Sequence, residues 1–258
     1  MKDVKLTLIG GPTVLIEIGG LRLLTDPTFD LPGGEYITGP VTLKKQKGPA
    51  LSIKEIGNID AVLLSHEQHG DNLDILGREL LKSIKVVYTT PQSASNLGSN
   101  ALGLATWQSA SLQAPNGKKL KITATPARHG PAGIEPMAGD VTGFILQWEN
   151  ENEDAIYVSG DTVWYEGVAE IAGKFKVDYA ILNMGAAQLE AVGPIELTMN
   201  ANGAVETAKS FAKAKIIPAH YDGWAHWTEH REAIDKVFKA ANLIDRLVWL
   251  EPGVTKLV

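Results

Sequence analysis

Ser65-His66-Glu67-Gln68-His69-Gly70-Asp71-Asn72 is the stretch from which the fold and the chemistry of this chain can be read. It follows Ala61-Val62-Leu63-Leu64, an uncharged run that reads as a buried strand, and helical patterning resumes at Leu73. The imidazoles of His66 and His69, the carboxylate of Asp71 and the amide of Asn72 are thus held in one tight strand-to-helix loop. A loop this short on a rigid scaffold can turn His66, His69 and Asp71 to one side, where the start of the following helix favours negative charge. A buried histidine needs a hydrogen-bond partner or a metal. Either explains one of these residues alone; a metal explains the set.

Three further segments repeat the arrangement, each after an apolar run: Pro126-Ala127-Arg128-His129-Gly130, Ser159-Gly160-Asp161-Thr162, and the longer stretch from Pro218-Ala219-His220-Tyr221 to Gly223-Trp224-Ala225-His226-Trp227. Five of the six histidines lie in these loops. With no cysteine in the chain, a metal must be held by nitrogen and oxygen, which suits zinc, manganese or iron. Asp161 also fits a helix cap before Trp164-Tyr165-Glu166, and His129 and His220 also fit histidines bonded to backbone or buried beside Trp224. Ligation is the reading that joins them. His230, on a helical stretch, is left out.

Length and composition set the frame. The 258 residues are read as one domain over 1–258, with 44% hydrophobic and 21% charged residues, as in soluble globular proteins. A net charge of −6 without basic blocks argues against a nucleic-acid partner. No apolar run reaches the roughly 20 residues that span a bilayer, so no membrane partner is expected. The opening Met1-Lys2-Asp3-Val4-Lys5 shows no signal-peptide pattern, which places the chain in the cytoplasm. A homo-oligomer is compatible with the sequence. Lys44-Lys45-Gln46-Lys47, the densest basic run, reads as a solvated loop, with attraction of an anionic substrate as the alternative.

Strand-like runs recur at 5–9, 13–18, 21–25, 61–65, 86–89, 120–125, 143–148, 155–159, 179–183, 215–219 and 247–250. Helical patterns fill 73–82, 165–175, 201–214 and 228–241. The class is α/β. Links as short as Gly10-Gly11-Pro12 and Gly19-Gly20 make the first three strands antiparallel hairpins, and the later alternation implies crossovers. Two sheets packed together with helices outside are expected. The unpatterned stretches 27–58 and 185–199 exceed ordinary connections and are candidate walls of a substrate pocket.

On these residues the chain resembles the metallo-β-lactamase-fold hydrolases, in a branch similar to L-ascorbate-6-phosphate lactonase and, more distantly, N-acyl-phosphatidylethanolamine phospholipase D. The likeness runs from Leu6-Thr7-Leu8-Ile9-Gly10 through Thr13-Val14-Leu15-Ile16-Glu17 and Leu23-Leu24-Thr25-Asp26-Pro27 to His220-Tyr221. It implies a four-layer αββα sandwich with the metals at one edge of the sheets. The family's His-x-His-x-Asp-His appears here as His66-x-x-His69-x-Asp71-Asn72. Read with one inserted residue, the resemblance gives His66, His69 and His129 to a first metal and Asp71 and His220 to a second, with Asp161 bridging. Asn72 stands where the family has a histidine, which weakens the second site or suits it to a harder ion such as manganese. A second register would put Gln68 in place of His69. Asp26, in Thr25-Asp26-Pro27, is a candidate outer acceptor orienting a ligand histidine, or else a turn residue.

The function expected is a metal-dependent hydrolase with one or two divalent ions, zinc or manganese, whose activated water attacks a small-molecule substrate: a lactone, an ester or amide, or a phosphorylated metabolite. The resemblance makes Asp71 both ligand and nearby proton acceptor. His226 is either a proton donor or oxyanion binder, or a residue packed for structure between two tryptophans. The alternatives are a phosphodiesterase or nuclease, and a non-catalytic metal-binding scaffold.

Overall fold

Apolar runs cut by glycine turns become the first strands. In the computed structural model, which describes residues 3–38, 41–98, 100–149 and 155–258, β1 (Lys5–Gly10), β2 (Thr13–Ile18) and β3 (Leu21–Thr25) form an antiparallel meander. Met1 and Lys2 of the opening run, and 39–40 within 27–58, lie outside the described residues. Gly19 at the second turn has φ +58°, and a Cβ there would sit 2.5 Å from the Trp148 ring, so only glycine fits. There follow the hairpin β4 (Glu35–Thr38) and β5 (Val41–Lys44), α1 (Ile53–Ile56), β6 (Ala61–Leu63), α2 (Ile75–Leu81), β7 (Val87–Thr89), α3 (Pro91–Leu97) and β8 (Ala101–Gly103). The second half comprises β9 (Ser109–Gln113), β10 (Lys119–Thr125), α4 (Glu135–Ala138), β11 (Gly143–Trp148), β12 (Ala155–Val158), α5 (Glu166–Lys174), β13 (Val177–Asn183), α6 (Ala201–Ser210), β14 (Lys215–Ala219), α7 (Arg231–Ala240) and β15 (Lys256–Leu257).

One sheet has the order β15-β1-β2-β3-β6-β7-β8, the other β14-β13-β12-β11-β10-β9. Leu6, Val14, Ile16 and Leu23 of the first meet Ile122, Phe144, Ile156 and Ile217 of the second in one shared core. The outer face of the second sheet packs Tyr157, Leu182 and Ile216 against Val168 and Ile171 of α5, Ala204 of α6 and Phe238 of α7. The outer face of the first packs Ile9, Leu24 and Val62 against Ile56 of α1 and Leu81 of α2. These are the four layers expected, helix–sheet–sheet–helix. Strands β12, β13 and β14 run parallel, which explains their apolar character on both faces.

Several elements differ from the sequence expectation. α2 begins at Ile75 rather than Leu73 because Asp74 caps it, accepting from the Gly77 N–H at 2.8 Å. α6 stops at Ser210 instead of 214, where the chain turns over the buried Phe211. α7 begins at Arg231 rather than Thr228, since the Thr228 and Glu229 N–H groups bond to the Gly185 carbonyl. Residues 247–250 form no strand: a single rung, Val248 N–H to Ile216 O at 2.8 Å, ties them to the edge strand β14. The basic run is not simply solvated. Lys45 is 4% exposed, with Nζ 2.6 Å from Asp74 Oδ2 and 5.4 Å from the centre of the Trp224 ring. Burial is tolerable because the cation is paired and covered by an aromatic face. Among the described residues no helix is long and apolar enough to cross a membrane.

Candidate metal centre

Strand direction brings the loops together. β10 is antiparallel to β11 and β11 to β12, so β10 runs the same way as β12, β13 and β14. Their C-terminal ends carry His129, Asp161, Asn183 and His220, and the loop after β6 brings His66, His69 and Asp71 from the other sheet. The result is two adjacent trios. His66, His69 and His129 form one, Asp71, Asp161 and His220 the other, and within each trio the ligand atoms lie within 4.8 Å of one another.

In the first trio His66 Nε2 is 2.9 Å, and His129 Nε2 3.2 Å, from His69 Nδ1. The outer nitrogens are tied down: His129 Nδ1–H donates to the Leu197 carbonyl at 2.6 Å, and His66 Nδ1 lies 2.8 Å from Ser65 Oγ. A carbonyl only accepts, so neutral His129 must turn the bare lone pair of Nε2 inward. Burial, reinforced by His69, holds the His66 imidazole well below its usual range, and burial with the neighbouring His129 brings His69 down to about 4. Both rings are therefore uncharged near neutrality, the form that binds metal.

The second trio carries charge. Burial pushes the Asp71 and Asp161 carboxyls up, yet both stay below the ordinary carboxylate range: His226 and then His220 outweigh it at Asp71, and His220, His129 and His66 at Asp161. His220 rises instead, because Asp161 and Asp71 overcome the effect of its own burial. Its Nε2 is 3.6 Å from Oδ2 of each carboxylate, beyond hydrogen-bonding reach. Among the described residues neither Asp161 Oδ2 nor His220 Nε2 has a hydrogen-bond partner, although both are buried. Buried atoms of this kind are ordinarily satisfied, and a divalent cation between them would satisfy both. His220 is held at φ +57°, a left-handed conformation costly for a β-branchless but bulky residue, by its N–H bond to the Gly11 carbonyl at 2.8 Å.

The surrounding residues bear on the open sequence readings. Asn72 does not turn its amide nitrogen away from the carboxylates: Nδ2 donates to Asp161 Oδ1 at 3.2 Å, and Asn183 Nδ2 donates to the same oxygen at 2.8 Å. Asn183 went unnoticed in the sequence, where its only mark is a polar residue ending an apolar strand. Gln68 reaches outward to the Ala138 and Asp140 carbonyls, which leaves His69 in the trio. Among the described residues Asp26 makes no hydrogen bond to a histidine ring. Its Oδ1 accepts from the Ser65 N–H at 2.6 Å, so it fixes the loop backbone ahead of His66, and burial followed by the charge of Asp161 pushes its carboxyl up to about 7. His226 lies against Trp227, ring centres 4.2 Å apart, with Nε2 3.0 Å from Asp71 Oδ2. It is both packed by a tryptophan and bonded to the site.

Above the trios a cavity of about 210 Å³ opens, with His69, Asp71, His129, Asp161 and His226 at its floor. Val41 and Leu43 of the β4–β5 hairpin, Ile134 and Met137 at α4, and Leu189 and Leu197 of the 185–199 stretch build its walls. Both long unpatterned stretches thus contribute to the pocket.

The UPF0173 protein YddR of Bacillus subtilis (strain 168) is 25% identical over 258 residues, covering 97% of this chain and 98% of that protein. The N-acyl-phosphatidylethanolamine-hydrolyzing phospholipase D 1 of Caenorhabditis elegans is 26% identical over 198 residues, 70% of this chain and 53% of that enzyme. Among solved structures, isothiocyanate hydrolase from Delia radicum gut bacteria superposes with a TM-score of 0.81 at 22% identity, covering 98% of this chain and 99% of that one. The sequence profile of the beta-lactamase superfamily domain matches residues 21–221, from β3 through the loop after β14 and so across all six candidate ligands, and the chain belongs to that superfamily.

Proposed function

We propose that this protein is a metal-dependent hydrolase acting on a small molecule with water activated by one or two divalent ions, zinc or manganese. The observation that carries this is the meeting of six ligand-type side chains from four loops, three imidazoles, of which His66 and His69 are held uncharged by burial, beside two ionised carboxylates and a fourth imidazole. A divalent ion held there supplies a Lewis acid and lowers the pKa of water toward neutrality. His66, His69 and His129 would hold one ion, Asp71 and His220 a second, and Asp161 faces both trios, with Oδ2 3.8 Å from His129 Nε2 and 3.6 Å from His220 Nε2.

The chain's own groups then handle protons. Ionised Asp71 can only accept, so the proton of the Asp71–His226 bond resides on His226 Nε2, at the cavity floor. That places a donor where a leaving group would depart, and Asp71 beside it to take the proton from attacking water. Substrates consistent with this chemistry are lactones, suggested by the lactonase-like branch, esters and amides, and the isothiocyanates named for the superposing hydrolase. The phospholipase D relative supports phosphodiesters as the second reading.

The test is to strip the purified chain with a chelator, reload it with zinc or manganese, and assay lactones, esters, isothiocyanates and phosphodiesters. Turnover of at least one class should vanish on stripping, return with metal and be absent from Asp161→Ala. Turnover that survives both treatments overturns the proposal, and a loaded chain inert toward every class leaves the scaffold reading in its place.

A further inference from the structure

The walls of the cavity say what the body of a substrate must be. Of the side chains around it, those above the floor are almost all aliphatic or methionine, Thr38 being the polar one, and among the described lining residues there is no lysine or arginine. The nearby cations lie outside this lining. Lys45 is paired with Asp74 at 2.6 Å and Lys47 with Asp222 at 2.5 Å, and the Arg128 guanidinium lies 4.3 Å from the centre of the Tyr165 ring. α4, the helix in the wall, has four residues and bears Glu135 in its first turn, the wrong charge for an anion.

A phosphate or carboxylate held inside the cavity would therefore be buried without a partner, which is strongly unfavourable. The volume, about 210 Å³, is below the roughly 300–1,000 Å³ typical of pockets for drug-sized ligands. Resting on the hydrolase reading above, we infer that the substrate is a small, uncharged, apolar compound with an electrophilic acyl carbon, such as a medium-chain lactone or short ester, and not a phosphorylated metabolite. In the reaction the oxygen of water bonds to the acyl carbon and the carbon–oxygen bond of the ester breaks. Asp71 takes the first proton of the water, the departing alkoxide takes the His226 Nε2 proton, the proton on Asp71 passes across their bond to restore His226, and the second proton of water leaves the new carboxylic acid for solvent.

The experiment compares δ-octalactone with 6-phosphogluconolactone on the metal-loaded protein. The neutral lactone should have a kcat/KM about 100-fold or more above the phosphorylated one, the scale set by leaving a polar group unpaired in a fitted site. Met137 is 63% exposed at the cavity mouth, so Met137→Arg should fold, and it should narrow that ratio at least about tenfold by supplying the missing cation. A wild-type protein that turns over the phosphorylated lactone equally well or better overturns the inference. Should neither be hydrolysed, calorimetry on the same loaded protein separates the two proposals: binding of δ-octalactone alone upholds the substrate class while removing the hydrolase reading. Binding of the phosphorylated compound, or of neither, overturns the substrate class.

Discussion

The two trios differ in how their positions are secured. His66 and His129 each have the outer ring nitrogen fixed, on Ser65 Oγ and on the Leu197 carbonyl, and burial holds His66 uncharged, so the rings are already oriented for an arriving cation. In the other trio His220 Nδ1 is buried without a hydrogen-bond partner among the described residues, and two carboxylates push the His220 imidazole up from its usual range against the effect of its burial. Outer partners raise ligand basicity and fix orientation, so the imidazole trio is expected to hold a cation more tightly and the carboxylate trio to attract one chiefly through charge. Asp161, a member of the second trio, also faces the first. Asn72 and Asn183 grip one of its oxygens and leave the other turned toward the histidines.

The most damaging change should be at that shared carboxylate. Asp161→Ala removes the group facing both trios and leaves Asn72 and Asn183 with unpaired amides, so loss of affinity should spread to both ions and exceed the ~10–100-fold expected from an outer partner alone. Chelator competition followed by elemental analysis measures it. A loss confined to one ion would show that the trios do not share Asp161. Next comes His69→Ala, which should empty the imidazole trio, while Gln68→Ala, altering the bonds to the Ala138 and Asp140 carbonyls and the one accepted from the Glu67 N–H but none to the trios, should keep metal content unchanged. Equal losses in the two variants would restore the register that places Gln68 in the site.

Asn72→His sharpens the contrast in the opposite direction. It supplies the imidazole that the superfamily pattern has and this chain lacks, at the cost of one of the two amide bonds to Asp161. Affinity for the second ion should rise on the order of tenfold, the scale on which single partners tune metal sites, with the first ion unaffected. Titration with zinc followed by calorimetry resolves the two events. A weakened second site would mean that the Asn72–Asp161 bond matters more than an added ligand.

The trios were legible in sequence because each ligand ends an apolar run that must be a strand, and burying such runs in two sheets leaves their ends little freedom. Strands that are half exposed left no such mark. Ser109–Gln113 alternates exposed and half-buried residues at a sheet edge with only one strongly apolar side chain, Leu112. The cavity wall was equally hidden: Val41 and Leu43 lie in a hairpin paired only with itself, and Leu189 and Leu197 in a stretch with little regular structure. What placed them there is contact with Trp224 and Trp227, far along the chain. Lys45 misled for the same reason, since its partner Asp74 is 29 residues away and only the folded chain brings them together.

Asp26 offers the smallest and most specific test, because it supports the imidazole trio from behind without joining either. Its carboxyl goes from an ordinary 3.8 up to about 7 on folding, through burial and then the charge of Asp161. The folded state thus holds a proton that the unfolded state has released, and the stability associated with that proton is fully present below about pH 4 and is lost as pH rises through about 7. Asp26→Asn keeps an oxygen for the Ser65 N–H but has no proton to lose. In metal-free protein, the melting temperature of the variant relative to the parent should therefore rise between pH 5 and pH 8, by about 5 °C for a chain of this size. A difference that stays flat over that window would mean Asp26 is ionised throughout, its charge met by the Ser65 N–H and the nearby His220, and the loop ahead of His66 would then be held by an anion instead of a neutral acid.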